Sequence, residues 1–173
     1  MGYTISKSIS FLSPSSEQVL KGILKSEKKL IIFDVGAYIG NSATNYSKWF
    51  PGSQIYSFEP FESNFKKLKK IKSSQVSSFN IGFSDIAQTE ALLINAGTGT
   101  SSMLALSENA SALWGGIKDL IPVSKSNCDF STIDLFMEQN LIDEIDFLKI
   151  DVQGAEFKVL EGAKKHLASK KLN

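Results

Sequence analysis

The stretch Ile31–Gly40, which reads IIFDVGAYIG, decides the fold of this chain of 173 residues. Its apolar run stops at the acidic residue Asp34, and a turn with two glycines follows. Residues 41–50 then predict a helix, because the proline and glycine directly after them stop a helix. A strand, a glycine-containing turn and a helix in this order are typical of a nucleotide-cofactor site. We therefore predict a buried strand over 30–35 and a cofactor-binding turn after it.

Helices and strands alternate along the rest of the chain, which indicates an α/β fold with a parallel sheet and right-handed crossovers. Two strands at about 89–95 and 120–124 break this alternation and predict a β-hairpin-like insertion at about 89–124. The other predicted strands are 30–35, 54–58, 76–83 and 146–150, and the predicted helices are 15–27, 41–50, 62–71, 131–140 and 154–168.

The first of these helices has both a start signal and an apolar face. Ser15 and Gln18 have the spacing of a capping box. Four apolar residues recur at helical spacing and predict a face that packs on the core: Val19, Leu20, Ile23 and Leu24. We divide the chain into an N-terminal lead-in with this helix, residues 1–29, and one domain, residues 30–173.

The charge balance and the rare residue types exclude several classes of function. A net charge of +1 argues against a nucleic-acid partner held by phosphate neutralisation and gives no support to binding at a membrane surface. All 19 basic residues are lysines, so no guanidinium is present to clamp a phosphate. The single cysteine, Cys128, excludes an internal disulfide, and the lone His166 makes a Ser-His-Asp triad a weak interpretation.

The N-terminus gives an expectation about location. Residues 1–10 lack the apolar segment of a secretory signal peptide. No run of the sequence approaches the length needed to span a membrane. A cytoplasmic protein is therefore our expectation.

Carboxylates recur at or just after the ends of the four predicted core strands: Asp34, Glu59, Asp85 and Asp151. Ligands of parallel α/β sheets bind beyond the carboxyl ends of the strands, so we expect these side chains to converge on one site. Helix capping alone also places acidic residues near such positions. Four of them in succession favour a binding site.

The spacing of the turn favours S-adenosylmethionine over a phosphate-bearing cofactor. Asp-x-Gly-x-x-x-Gly differs from the Gly-x-Gly-x-x-Gly of dinucleotide sites, and no Gly-Lys-Ser/Thr of a P-loop follows. A carboxylate at the mouth of the turn is a poor neighbour for phosphate and a good one for a cation. S-adenosylmethionine carries a sulfonium and an ammonium, and it has no phosphate.

Each polar part of this cofactor can be matched with a polar group of the chain. We predict that Asp34 orders the ammonium, directly or through water, and that backbone amides near residues 36–41 receive the carboxylate. Glu59 is expected to accept both ribose hydroxyls, and Asp85 to accept from the adenine amino group while Ser84 fixes its loop. No metal is required. The predicted cofactor-binding residues of the turn are Gly36, Ala37, Gly40 and Asn41.

Four stretches together resemble the FkbM-type methyltransferase family: Phe33–Gly40 (FDVGAYIG), Phe58–Pro60 (FEP), Ser84–Asp85 (SD) and Leu148–Glu156 (LKIDVQGAE). The last stretch is the most specific, and the similarity extends over about residues 30–167. The resemblance implies a Rossmann-like class I methyltransferase sheet and S-adenosylmethionine-dependent O-methylation, often of sugars or secondary metabolites. It also implies that Pro60 belongs to the cofactor site.

Methyl transfer to a hydroxyl requires an aligned, dry site and benefits from a nearby base. Asp151 is our candidate for that base, with capping of the following helix as the alternative. Lys149 is the candidate that lowers the pKa of the acceptor hydroxyl, with an ion-paired lysine as the alternative. The segment 97–117 predicts either a lid or an ordinary insertion. The predicted substrate-binding residues are Gln153, Glu156 and Ser102.

Two features depart from the family pattern. Gln153 stands where the family usually has glutamate, which removes a charge beside the site. The family fold continues with further strands, whereas this sequence ends at Asn173, so we expect a core strand order of 3-2-1-4 without the C-terminal strands. Strand 146–150 would then be an apolar edge, and we predict a partner chain, as in a homo-oligomer, at that edge.

Two other functions remain as alternatives. A non-catalytic, methyltransferase-like module for binding or assembly would fit a shortened sheet. An NAD-dependent oxidoreductase has the wrong turn spacing here, and residues 30–173 contain no Tyr-x-x-x-Lys pair. The methyl acceptor, a small molecule or a sugar, cannot be named from the residues.

Overall fold

A computed structural model describes residues 15–24, 29–95 and 122–169. Its centre is a four-stranded parallel sheet with the strand order β3-β2-β1-β7. Counted over the core strands, this is the predicted order 3-2-1-4, and the α/β class is confirmed. The four strands are β1 (Ile31–Val35), β2 (Gln54–Phe58), β3 (Val76–Phe79) and β7 (Phe147–Ile150).

Helices cover both faces of this sheet, as crossover connections between parallel strands require. In the part of the chain that the structure describes, no helix has the length and apolar character needed to cross a membrane. The helices are α1 (Ser16–Leu24), α2 (Asn41–Trp49), α3 (Glu62–Leu68), α4 (Ile133–Gln139), α5 (Glu156–Glu161) and α6 (Lys164–Ser169).

One face of the sheet packs on α4 and α5 through an aromatic cluster. Phe136 of α4 lies edge-on to Phe58 and Phe79, with ring centroids 4.9 and 5.0 Å apart. The rings of Phe33, Tyr56 and Phe83 also contact that of Phe136. Such edge-to-face pairs add to the burial of apolar area, so this cluster fixes the sheet against α4.

The other face packs on α1 and α2. The side chains of Leu20 and Leu24 contact the buried cluster on this face, and the predicted capping box forms, because Ser15 and Gln18 exchange hydrogen bonds of 2.8 and 3.2 Å. The predicted inward face of α1 is partly wrong, since Val19 is 41% and Ile23 69% exposed. The helix presents one edge of its apolar stripe to the core and leaves the other in solvent.

A second sheet has the order β4-β6-β5. The antiparallel pair of β5 (Gln88–Asn95) and β6 (Pro122–Ser131) confirms the hairpin-like insertion, with β6 longer than predicted. The short β4 (Gly82–Phe83) pairs with β6 in parallel. The predicted lid 97–117 and Ser102 lie outside the described residues.

The predicted third strand over 76–83 is wrong, because it divides into β3 and β4 in different sheets. Asn80 stands at the break and donates hydrogen bonds of 2.9 Å to the carbonyls of Glu59 and Pro60. A Cβ on Gly82 would lie 2.3 Å from the ring of Phe130. The asparagine therefore ends β3, and the glycine lets the chain approach the second sheet.

The predicted closing helix over 154–168 is likewise divided into α5 and α6. Gly162 lies between them, and a Cβ there would be 2.1 Å from the carbonyl oxygen of Ser84. Asp134 then accepts hydrogen bonds from the amides of Lys165 and His166, which caps the start of α6. The close approach of Gly162 to Ser84 and the cap by Asp134 together explain why α5 ends and a separate helix α6 begins.

Candidate active site

The strand register aligns polar residues of all four core strands at one level of the sheet. Asp34 of β1 is the register partner of Ser57 on β2 and of Lys149 on β7, and Ser57 is the partner of Ser78 on β3. This polar row faces α2 and lies two residues beyond an apolar row. The apolar row consists of Ile32, Ile55, Val76 and Phe147. The sheet therefore changes from apolar to polar just before its carboxyl edge.

Asp34 carries a carboxylate in the interior of the protein. Its side chain is fully buried, and neither oxygen has a well-aligned hydrogen bond from the described residues. Burial raises the pKa of Asp34, while the ammonium of Lys149 and the amide of Ala43 in the first turn of α2 oppose that rise. An acceptor this poorly satisfied is costly unless a cation shares the site.

Lys149 connects three acceptors. Its Nζ is 3.1 Å from Oδ1 of Asp34, 3.6 Å from Oδ2 of Asp151 and 3.0 Å from the carbonyl oxygen of Gly36, to which it donates a hydrogen bond. Lys149 therefore donates one hydrogen bond, to the carbonyl of Gly36, and forms ion pairs with the two carboxylates. Lys149 thus lies inside the predicted site, in the ion-paired state that sequence reasoning kept as the alternative.

Tyr46 of α2 is a neighbour of Asp34 that sequence reasoning missed. Its side chain is 7% exposed, and its ring packs against those of Trp49 and Phe147. Burial and the nearby Asp34 carboxylate raise the pKa of Tyr46 to about 12. The hydroxyl therefore stays protonated in the ordinary pH range and adds no charge to the site.

Gly36 joins the turn to the end of β7. Its φ of +76° is a left-handed conformation, and a Cβ would lie 2.0 Å from the carbonyl oxygen of Asp151. Only glycine meets both conditions. The close approach that this glycine permits is to the neighbouring strand, and it places the turn directly beside the predicted catalytic carboxylate.

The other glycine of the turn serves helix packing. Gly40 has a φ of +89° at the N-cap of α2, and a Cβ would lie 2.2 Å from Cδ1 of Ile71 and 2.7 Å from Cδ1 of Leu68. Its contact surface is therefore side chains of the protein. The sequence predicts Gly40 as a cofactor-binding residue, whereas a side chain at this position would meet α3 and the residues after it.

Protein acceptors already engage several backbone amides of the turn. The amides of Gly36 and Ala37 donate to the carbonyl of Phe58, and that of Gly40 donates to the carbonyl of Ala37. Ala37 is 4% exposed, so it belongs to the core. Among the described residues, the amides of Ile39 and Asn41 have no acceptor, and α2 has no side-chain cap. They lie at the N-terminus of α2, where free backbone amides generally attract anions.

Glu59 follows β2, and its carboxylate binds the backbone of the turn after β1. Oε2 accepts a hydrogen bond of 2.9 Å from the amide of Tyr38, and Oε1 accepts from the amide of Phe61 and the side chain of Asn64. Glu59 is 4% exposed, and burial raises its pKa while these three donors oppose the rise. A carboxylate has about four acceptor positions, so one position remains on Oε2.

Asp151 is the exposed carboxylate of the site, with 55% of its side chain accessible. Gln153 donates from Nε2 to Oδ1 of Asp151 over 3.3 Å. Gln153 has a φ of +55°, a strained conformation for a residue with a side chain, and Gly154 follows at +100°. The turn after β7 thereby bends back so that Gln153 and Lys149 both contact Asp151.

Glu156 binds its own backbone. Its carboxylate accepts hydrogen bonds from the amide of Gly154, at 3.1 and 3.0 Å, and from the amide of Val152 at 3.3 Å. Partial burial alone would raise the pKa of Glu156, but the amide hydrogen bonds lower it below its ordinary value. This predicted substrate residue stabilises the turn before α5, where a carboxylate also suits the helix dipole.

Asp85 does not follow the third core strand, because that strand ends at Phe79. Ser84 is buried, and its hydroxyl donates to Oδ1 of the exposed Asp85 over 2.8 Å, which lowers the pKa of Asp85. Asp85 lines a groove beside α4 and α6. The residues that share this groove are Thr132, Asp134, Leu135, Glu138, Glu161, Gly162 and Lys165.

Asn80 holds the position after β3 that sequence reasoning gave to Asp85. Its side chain binds the carbonyls of Glu59 and Pro60, so it touches the predicted ribose-binding segment. Asn64 was also missed, although a polar residue one turn before the inward Leu68 on α3 is a recognisable signal. Ser57 and Ser78 carried a signal too, since each follows an inward apolar residue by two positions.

Comparisons with known proteins agree with the fold. The family model for the methyltransferase FkbM domain matches residues 34–173. Among solved structures, the chain is similar to methyltransferase FkbM from Methylobacillus flagellatus KT, with a TM-score of 0.50 and 18% sequence identity. At this identity the similarity concerns the fold alone. It covers 81% of this chain and 30% of that one, so this chain spans less than a third of that protein's length. A search among curated proteins gave no match.

Proposed function

This chain belongs to the FkbM methyltransferase family, and on that premise we propose that it transfers a methyl group from S-adenosylmethionine to a hydroxyl of a small molecule or sugar. The observation that carries the proposal is the convergence of Asp34, Lys149 and Asp151 beside the Gly36 turn. The proposed setting is the cytoplasm. The domain that performs the reaction comprises residues 30–173.

The charge of the site suits a cationic cofactor. Among the residues that the structure describes, three carboxylates, those of Asp34, Glu59 and Asp151, stand against one ammonium, that of Lys149. The resulting negative field attracts a sulfonium and an ammonium and repels phosphate. Asp34 fits the ammonium in particular, because it is a completely buried carboxylate whose ion pair within the described residues is with Lys149. This supports S-adenosylmethionine over a dinucleotide.

The remaining parts of the cofactor find matching groups. The amides of Ile39 and Asn41, at the uncapped start of α2, suit the cofactor carboxylate, as helix N-termini do generally. Oε2 of Glu59 can accept one ribose hydroxyl, which refines our expectation that it accepts both. Asn80 and Pro60 lie next to it, and they border the ribose side of the site in this proposal.

Asp85 and Ser84 keep a proposed role only at the rim of the site. They lie in the groove beside α4 and α6, and their contact to an adenine would require that the base extend across the end of β3. Asn80 occupies the end of that strand and therefore lies nearer to Glu59. We give the adenine contact to the neighbourhood of Asn80 and retain Asp85 as an outer group.

The chemistry follows from the exposed half of the site. S-adenosylmethionine supplies an electrophilic methyl group, whose bond to sulfur breaks as the acceptor oxygen bonds to its carbon. Asp151 accepts the proton of the acceptor hydroxyl, and its exposure lets a substrate reach it. Lys149 and Gln153 hold its two oxygens in place. In this proposal Gln153 and Glu156 border the acceptor, and the predicted contact of Ser102 falls outside the described residues.

Binding of the cofactor is the first test. Isothermal titration with S-adenosylmethionine and with its product S-adenosylhomocysteine should give saturable heats. Glu59→Ala should weaken both by about tenfold, because it removes an acceptor of the ribose and the brace beneath the turn. Glu62→Ala, an exposed carboxylate in the pair with Lys66, is the matched control and should bind normally. No heat with the wild type would refute the proposal and favour a non-catalytic module.

A further inference from the structure

Lys149 contacts the carboxylate that the proposed function gives to the cofactor ammonium. Its Nζ is held by Oδ1 of Asp34, the carbonyl of Gly36 and Oδ2 of Asp151, at 3.1, 3.0 and 3.6 Å. The proposed function gives Asp34 to the ammonium of S-adenosylmethionine. The ammonium of Lys149 and the ammonium of the cofactor would therefore compete for the same buried carboxylate.

Resting on the proposed function, we propose that Lys149 is an internal stand-in for the cofactor's ammonium. It neutralises Asp34 until the cofactor binds, and then passes to Asp151. The contact with Asp34 is thereby exchanged from one ammonium to the other. Lys149 is in this view a positioning residue that connects the cofactor pocket with the acceptor pocket.

The order of exposure along the three side chains supports this exchange. Asp34 is completely buried, Lys149 is 20% exposed and Asp151 is 55% exposed. The Nζ of Lys149 contacts both the buried Asp34 and the exposed Asp151, so a shift of Lys149 toward Asp151 would free the Asp34 carboxylate for a second cation. Oδ2 of Asp151, already 3.6 Å away, offers Lys149 an acceptor on the solvent side.

Electrostatic interactions also favour the exchange of Lys149 for the cofactor ammonium at Asp34. Two ammonium groups on one carboxylate would lie within roughly 5 Å of each other, where repulsion in a buried site is strong. Leaving Asp34 without any cation would bury an unpaired charge. Exchange avoids both states, since the carboxylate has one cation before and one cation after binding. It also gives Asp151 a closer cation once the cofactor is in place.

The test compares two adenosine thioethers that differ in the amino-acid end. S-adenosylhomocysteine carries the ammonium, and 5′-methylthioadenosine lacks the whole amino-acid end. Their dissociation constants are measured by titration on the wild type, on Lys149→Met and on Lys66→Met. Lys66 pairs with Glu62 on the surface, so its variant makes the same change of net charge away from the site.

We expect the preference for S-adenosylhomocysteine over methylthioadenosine to increase about tenfold in Lys149→Met, because the ligand's ammonium then meets Asp34 without a competitor. Lys66→Met should keep the preference of the wild type. An unchanged or smaller preference in Lys149→Met would overturn the inference. If neither thioether bound the wild type, the proposed function itself would fail, which is a different result.

A second variant covers the case in which Lys149→Met does not fold. Asp34→Asn combined with Lys149→Met removes the buried pair as a unit, and it replaces both charges by groups of similar size. In that double variant the preference for S-adenosylhomocysteine should drop at least threefold below that of the wild type, because the ammonium has lost its carboxylate. A preference equal to that of the wild type would contradict the exchange.

Discussion

Asp34 and Lys149 are register partners on neighbouring parallel strands, yet their contact is asymmetric. Asp34 is completely buried and Lys149 is its charged partner, whereas Lys149 also contacts the exposed Asp151. Loss of the lysine would leave a buried carboxylate, while loss of the aspartate would leave a lysine with other acceptors. The two single substitutions should therefore differ in cost, although they break the same pair.

Lys149→Met should lower the free energy of unfolding by about 3 kcal/mol, since removing one partner strands a buried charge. Asp34→Asn should cost only about 1 kcal/mol, because Lys149 keeps Asp151 and the carbonyl of Gly36. Urea unfolding at neutral pH measures both. The double variant serves as the control and should be more stable than Lys149→Met alone. Equal losses for the two single variants would contradict the asymmetry.

Glu59 should make stability depend on pH. Burial raises the pKa of Glu59 above its value in the unfolded chain, so the folded state binds the proton more tightly. Its contribution to stability is then fully present below the unfolded pKa of about 4.3 and is lost as the pH rises through the folded pKa.

Glu59→Gln removes this titration, so the difference in unfolding free energy between wild type and variant is the quantity to follow. It should shift in favour of the variant as the pH rises from about 4 toward neutrality. Urea midpoints at several pH values measure it. A difference that stays constant over this range would show that Glu59 titrates alike in both states.

Two glycines allow a matched test of the turn. Gly36→Ala should lower the free energy of unfolding by at least about 2 kcal/mol, because of the left-handed φ and the approach to the carbonyl of Asp151. Gly22→Ala in α1 meets nothing within 4 Å and should stabilise by about 0.5–1 kcal/mol through helix propensity. Thermal unfolding compares them. A harmless Gly36→Ala would contradict the close packing of the turn on β7.

Asp151→Asn separates catalysis from binding. If Asp151 is the base, the variant should transfer methyl groups roughly 100-fold more slowly while its dissociation constant for S-adenosylhomocysteine changes less than about threefold. Transfer is followed with isotope-labelled S-adenosylmethionine and a panel of hydroxyl compounds. A parallel loss of binding and transfer would instead assign Asp151 to the stability of the turn.

The open edge of β7 predicts self-association. Within the described residues β7 pairs with β1 alone, and its four residues are half-buried. An apolar edge of this kind attracts another strand, so we expect a homo-oligomer joined through residues 146–150. Light scattering over a range of protein concentrations gives the mass. A monomer at every concentration would refute this prediction.

The parallel sheet could be predicted from sequence because its signals are local. Each core strand is a short apolar run, and the order of β1, β2 and β7 follows from the connections between them. The end of β3 could not be predicted in this way. It depends on Asn80 binding two carbonyls after β2 and on Gly82 meeting Phe130, and neither contact is visible in the run 76–83.

The candidate site shows the same division. Asp34, Glu59 and Asp151 were found because each follows an apolar run at a strand end. The ion pair of Lys149 with Asp34 depends on the register between β1 and β7, which the sequence alone does not specify. The same holds for the amides of the turn, because only the fold decides that Phe58 and Glu59 accept hydrogen bonds from three of them.

The polar row across the four strands has a consequence for how the sheet assembles. Side chains alternate between the two faces of a strand, so a slip of β7 by one residue would turn Lys149 into the aromatic cluster and place an aliphatic side chain opposite Asp34. The apolar side chains of Leu148 and Ile150 would tolerate either register, whereas the charges of Asp34 and Lys149 would both lose their partner. The pair of Asp34 and Lys149 therefore disfavours the shifted register of β7 and helps to select the native register while the sheet forms.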